Sequence, residues 1–520
     1  MQGHVAVTKY FVFIFLALFA ITQIPLYWVE YPDIQDFLNH LARLHILLQL
    51  SESDALQQYY TFRHLKVGTN LAMEVIVPLL AKAMSLILAL KIFSSLAMFL
   101  TVSGAAALGR AINGRSSYLL LGVLFFTLNE MLQMGLLNYL FGLGLAFWLL
   151  TAWIYARNHF SLGSWIAFSL GGILVYLCHL SAFGVYAVCV LGYELARQSS
   201  KGPLMCKSSV IGLLLPLTQF VPTVMLHMLA SVSAGIDTPP PIEYSWLELP
   251  FLWVIYKLLL LGIAPLISVS GYIVGQIIFG FLLIFTVYVG YREGLLKLSA
   301  TVKWMAGLLL LCIFLLPDAG FGSRLVDARL IPALGLILWS GLQLDEDCAL
   351  NPKLLLGLIV VIVVLISVET GRQWTMRDVE YKSVRVALQQ IPEGSKVATI
   401  MLDEPKTLDN ISSHSGAFSV IDRSALLSNM FIWPYQPFWV AYREPYVPFV
   451  KPVRLDNPET PATPYEDIKR YYHYILIFGG NATKRMQYGQ NAETVFSSNS
   501  LRMIRTDLAQ LSNIKHTLED

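Results

Sequence analysis

The sequence predicts an α-helical polytopic membrane protein, with about eleven spans followed by a small soluble α/β domain. Three observations predict it. Hydrophobic residues make up 56% of the 520 and charged residues only 13%, against roughly 25% charged in soluble domains. Apolar windows near the ~20 residues that a helix needs to cross a bilayer recur along the first two thirds of the chain. After about residue 371 the composition shifts to polar residues, prolines and short β-type runs.

The apolar windows are 10–29, 89–109, 116–132, 135–155, 161–178, 180–195, 208–230, 267–290, 303–317, 329–344 and 353–370. The first has one flanking lysine, Lys9, like a signal peptide. It is long and lacks a small-residue cleavage site, so it is expected to stay as the first span. Positive charges gather at Arg110 and Arg115, at Arg157, at Arg197, Lys201 and Lys207, at Arg292, Lys297 and Lys303, and weakly at Lys353. Because cytoplasmic loops carry the excess of Lys and Arg, these ends are assigned inside. Two short helices broken at His179 then follow within 161–195. The 249–267 run, with Lys257 at its middle, becomes an interfacial or re-entrant helix. The N-terminus is cytoplasmic on this map. The long first loop (30–88), the His179 turn, the acidic 231–250 loop, the 318–328 loop and the C-terminal domain lie outside.

The expected domains are therefore 1–371, the transmembrane part, and 372–520, a soluble extracytoplasmic module. Within the latter, 396–402 (KVATIML) and 474–478 (YILIF) read as buried strands, while 378–390 and 465–472 have helical character. The stretch 432–464 is rich in Pro, Trp, Tyr and Phe and reads as a long ordered loop.

Several function classes lack their signatures. A net charge of +2 and no basic block with interleaved aromatics argue against a nucleic-acid partner. The cysteines Cys178, Cys189, Cys206, Cys312 and Cys348 contain no CxxC pair, so no zinc knuckle or disulfide framework is expected. No Walker A loop, nucleotide-binding glycine fingerprint, HExxH or GxSxG is present. Gly142-x-Gly144 reads as close helix packing, and the sequons at Asn410 and Asn481 as chance matches.

The string from Tyr27 to Leu50, YWVEYPDIQDFLNHLARLHILLQL, carries the densest chemistry. Pro32 suits a first helical turn, and Asp33, Asp36, His40 and Arg43 then follow at spacings of three and four, which puts them on one face. An interfacial amphipathic helix with an acid–imidazole–guanidinium stripe is expected. Simple capping by Asp33 and Asp36, with Arg43 on lipid headgroups, is the bland alternative. A second group is PDAGFGSRLVDARL (317–330), with Asp318, Arg324, Asp327 and Arg329. A guanidinium there suits a phosphate headgroup, and Arg324 paired with Asp327 is the structural alternative. His179 is a lone imidazole at a turn. Asn129, Glu130, Gln133 and Asn138 have the amide and carboxylate chemistry of a sugar pocket, and equally that of helix-to-helix hydrogen bonds.

An acidic first outer loop after helix one, many further spans and a soluble outer domain resemble the GT-C superfamily of polyprenyl-phosphate-sugar-dependent glycosyltransferases. The string PDIQDFLNHLAR (32–43) is similar in kind to their first-loop acidic motifs, and to uncharacterised bacterial membrane proteins with a PD…NHLAR stretch. The adjacent Asp-Glu pair of several of those families is replaced here by Asp33-x-x-Asp36. The resemblance implies sugar transfer from a polyprenyl-phosphate-linked donor to a glycan, lipid or protein acceptor at the outer face of a bacterial inner membrane. Asp36 is then the first choice of general base and Asp33 the second. His40, Arg43, His179, Arg324, Asp327, Arg329, Glu130 and Asn138 are candidate substrate contacts, and Asp36 with His40 could hold a divalent cation such as Mg or Mn. The alternatives are a secondary transporter or flippase for a lipid-linked or small polar substrate, and a non-enzymatic assembly or scaffold protein.

Overall fold

The structure is a computed structural model that describes residues 2–63, 68–204, 206–233, 250–263, 285, 287–320, 323–345, 351–401, 410–432, 438–444, 446, 453–454, 468–479, 492–498 and 500–506. The chain forms two compact units: residues 1–27, 66–76 and 91–371 in one, and 28–65, 77–90 and 372–520 in the other.

The first unit is helical. Among the described residues of the chain, six helices are long and apolar enough to cross a membrane: Tyr10–Trp28, Leu86–Asn113, Leu137–His159, Leu180–Ser199, Ser208–Ala230 and Pro352–Leu388. Shorter apolar helices lie at Ala72–Ala81, Tyr118–Gln133, Leu162–Cys178, Ala300–Leu315 and Leu330–Gly341. Large apolar side chains stay exposed along them, including Phe13 and Ile24 on the first and Leu358, Val361, Leu365 and Val368 on the last. Such surface costs about 25 cal/mol per Å² in water and nothing in hydrocarbon. A helical membrane protein is the class compatible with it.

Local chemistry explains where these helices break. His179 has an extended backbone, φ −169° and ψ 132°, and its Nδ1 accepts from the Ser181 N–H at 3.0 Å, so it caps the second helix and ends the first. The expected 116–132 span is instead a 3₁₀ segment, Tyr118–Phe126, followed by a short α-helix, Glu130–Gln133. Trp339 packs against the 3₁₀ segment. Its indole N–H donates to the Leu119 carbonyl at 2.8 Å, and a Cβ on Gly122 would lie 2.3 Å from its ring. Ala72–Ala81, with Pro78 inside it, is an apolar helix within what reads from sequence as the first loop. Pro250–Ile263 is helical around Lys257. Most of the expected 267–290 span and of the 231–250 loop lies outside the described residues. The last apolar helix does not stop near 370 but runs unbroken from Pro352 to Leu388.

The second unit is built on a mixed sheet. Lys396–Met401 and Tyr474–Phe478 are adjacent parallel strands, in register from Val397↔Tyr474 to Met401↔Phe478. Leu426–Leu427 and Val453–Arg454 pair parallel with the first, and Leu501–Arg505 then Glu493–Ser497 continue antiparallel from the second. Val397, Ala398, Ile400 and all of Tyr474–Phe478 are buried, and Ile468, Tyr472 and Ile504 pack in the same core. Near-continuous apolar runs of this kind are what strands covered on both faces require. Tyr60–Phe62, from the first loop, pairs antiparallel with Val440–Tyr442.

Candidate functional site

The expected stripe divides at its start. The helix runs Phe37–Gln49, not from Pro32, because Ile34 N–H turns back to the Pro32 carbonyl and Phe37 N–H to Ile34. Asp33 therefore sits ahead of the helix, buried, with its carboxylate taking the Tyr381 hydroxyl at 3.4 Å and lying 3.8 Å from Arg377 Nε. Nor is this an interfacial amphipathic helix. Phe37 to Leu44 are all buried, and Asn410–Ala417, Phe418–Arg423 and Val440–Tyr442 pack on it. His40 is buried, and the Arg43 guanidinium lies over the Phe438 ring, 3.7 Å from its centroid.

Asp36 holds the N-cap position, φ −89° and ψ −1°, yet its side chain makes no cap hydrogen bond. Capping is the bland role for this carboxylate. Its carboxylate instead faces an imidazole, with Oδ1 3.7 Å from His414 Nε2. The other ring nitrogen of His414, Nδ1, meets the Asn39 side-chain amide. Asn39 Oδ1 in turn accepts the Phe431 N–H at 3.3 Å, and the Phe431 ring stands edge-on to the imidazole at 5.0 Å. Burial pushes the His414 pKa down from 6.5 to about 4, so the ring is neutral near pH 7. One carboxylate at the start of a helix, one neutral imidazole and one buried amide thus form a connected polar line. It can accept a proton at Asp36 and hold the neighbouring N–H in place.

Around this line the unit is tied together by charge. Arg385 donates to both oxygens of Asp422 at 2.8 Å and to the Tyr31 hydroxyl at 2.7 Å, and Tyr31 N–H donates to Asp378 Oδ1 at 2.9 Å. Asp33, Tyr31 and Arg385 together fasten the segment that leads into the Phe37–Gln49 helix.

The remaining candidates fall in the helical unit. Asn138 is engaged locally at both polar atoms, since Oδ1 accepts the Met73 N–H at 2.8 Å and Nδ2 donates to the Asn70 carbonyl at 2.8 Å. Glu130 is buried at the start of its short helix, which Asn129 caps. His179 and Arg329 come together at Tyr139. The tyrosine hydroxyl donates to the Arg329 carbonyl, its ring stands edge-on to His179 at 5.4 Å, and the Arg329 charge acts on both rings. Asp327 is fully buried in an ion pair with Lys257. Lys257 also donates to the Leu316 carbonyl at 3.0 Å and sits 3.8 Å over the Trp253 ring. Arg324 has its backbone in a two-residue strand paired with Ala319–Gly320, and its side chain lies outside the described residues.

Among the described residues no group of three or more His, Cys, Asp or Glu side chains is placed to hold a metal ion. Residues that sequence reasoning did not assign are Asn39, His414, Lys257 and Tyr139. Asn39 was available as the i+3 neighbour of Asp36, and Lys257 as a charge within an apolar run. His414 carries no local signal, being 375 residues from its partner Asn39. No family model matches the chain, and no curated protein is significantly similar to it.

Proposed function

We propose that this protein is a GT-C-type glycosyltransferase that moves a sugar from a polyprenyl-phosphate donor to a hydroxyl-bearing acceptor, with Asp36 as the general base. The observation that carries the proposal is the Asp36 carboxylate: at the start of the Phe37–Gln49 helix it makes no cap hydrogen bond and lies 3.7 Å from a neutral imidazole. A base for acceptor attack must reach a hydroxyl proton while remaining ionised, and a neighbouring N–H favours the ionised form. Asp33, tied to Tyr381 and Arg377, takes the positioning role. Eleven crossings, a cytoplasmic N-terminus and an extracytoplasmic domain in a bacterial inner membrane belong to the same proposal. Arg329 with His179 is the candidate anion contact of the helical unit.

Asp36 and His40 would give a divalent cation two ligands of the roughly six it takes, so donor phosphate and water would have to complete the shell.

The test is release of radiolabelled sugar, to water or to an added alcohol acceptor, from polyprenyl-phosphate hexose and pentose donors by the purified chain in liposomes, with and without EDTA. Sugar release by the wild type and none by Asp36→Asn is the expected result. Equal release by both contradicts the assignment of Asp36.

A transporter or flippase is the second reading, and a different observation favours it: the buried Lys257–Asp327 pair in the helical unit. Ionisable groups buried among the apolar helices of a membrane protein mark substrate and ion pathways. Movement of labelled donor across the bilayer without cleavage of the sugar–phosphate bond is the outcome that reading requires.

A further inference from the structure

We infer that Asn39 is a positioning residue that locks His414 in its Nε2–H tautomer and so directs that N–H at the Asp36 carboxylate. The Phe431 N–H can only donate, so the atom of the Asn39 amide that faces it at 3.3 Å is the carbonyl oxygen, Oδ1. Turning the amide over would set two donors against each other. With Oδ1 fixed, the NH₂ group faces His414 Nδ1 and must donate, which leaves Nδ1 without a proton. A neutral imidazole carries its single proton on the other nitrogen, and that nitrogen, Nε2, lies 3.7 Å from Asp36 Oδ1. Asn39 is fully buried and His414 nearly so, so neither side chain can trade this arrangement for water.

The separation is longer than a direct hydrogen bond. One bridging water or a small closure on ligand binding would span it. The N–H then holds the carboxylate oriented and ionised. Only this last link rests on the transferase proposal; the tautomer follows from the geometry alone.

Full-length protein labelled with ¹⁵N-histidine, reconstituted in liposomes at pH 7 and read by solid-state NMR, tests the tautomer without any substrate. A His414→Gln sample identifies the resonances by subtraction. The expected wild-type pair is an unprotonated Nδ1 and a protonated Nε2. A protonated Nδ1 in the wild type overturns the inference. Asn39→Asp replaces the donor with a carboxylate that only accepts, so the unprotonated Nδ1 resonance should be lost. Its persistence, with the other histidine resonances unmoved, also overturns the inference. Should Asn39→Asp not fold, the wild-type spectrum still decides. Loss of sugar release in Asp36→Asn alongside a wrong tautomer would leave the transferase proposal standing and sink this one. The correct tautomer with no release from any donor would do the reverse.

Discussion

Burial holds His414 neutral, and that has a consequence for stability. Its folded pKa, about 4, lies below the 6.5 of the unfolded chain, so between those values the unfolded state binds a proton that the folded state refuses. Its contribution is therefore complete above pH 6.5 and falls away as pH drops toward 4, by about 3 kcal/mol. Thermal unfolding of the solubilised protein should show the midpoint dropping across that window, and His414→Gln should flatten the slope. The Lys257–Asp327 pair predicts a different pattern. Lys257→Ala leaves a buried carboxylate uncompensated and should destabilise by roughly 3–5 kcal/mol, while Lys257→Met with Asp327→Leu should recover most of the loss in the same unfolding assay. Asp36, with Asn39 left unassigned three residues on, was legible in one short string, because spacing along a helix is a local property. Their partner His414 was not, since the contact is made by the tertiary fold and no period in the sequence encodes it.

At the scale of elements, close approach of helices dictates small residues. A Cβ on Gly144 would lie 2.5 Å from the Leu100 backbone carbon, and one on Gly142 3.0 Å from both Cys178 and Ala182 Cβ atoms. The Gly142-x-Gly144 pair thus serves two neighbours, the Leu86–Asn113 helix through Gly144 and the residues on either side of His179 through Gly142. Gly144→Ala should cost about 1–3 kcal/mol as overpacking, whereas Gly184→Ala, with open space at its Cβ, should be near neutral. Comparing their unfolding midpoints checks both. Apolar periodicity made the two central strands legible, because Lys396–Met401 and Tyr474–Phe478 are buried over nearly their full length. It misplaced the start of the Phe37–Gln49 helix, where Asp33 is held by Arg377 and Tyr381, distant in sequence, in preference to a helical turn. It also could not separate a 3₁₀ segment from an α-helical span at 118–126, since both are apolar all round.

For the whole molecule, hydropathy made the membrane class readable, and six long apolar helices among the described residues agree with it. Hydropathy did not reveal that the first loop and the C-terminal residues fold as one unit, joined by the Tyr60–Phe62 and Val440–Tyr442 strands. Such pairings are set by topology. The proposed orientation predicts that a C-terminal alkaline phosphatase fusion is active in a bacterial host and a C-terminal green fluorescent protein fusion is dark; the opposite pattern would invert the map. Asp36 as the base for sugar transfer is the claim on which most depends. Its most direct test is single-turnover transfer of sugar from a polyprenyl phosphate to an added alcohol acceptor or to water in liposomes, with wild type, Asp36→Asn and Asp33→Asn side by side. A loss on the order of 10²–10⁴-fold is expected in Asp36→Asn, with a smaller one in Asp33→Asn. Transfer undiminished in Asp36→Asn, or lost only in Asp33→Asn, would contradict that claim.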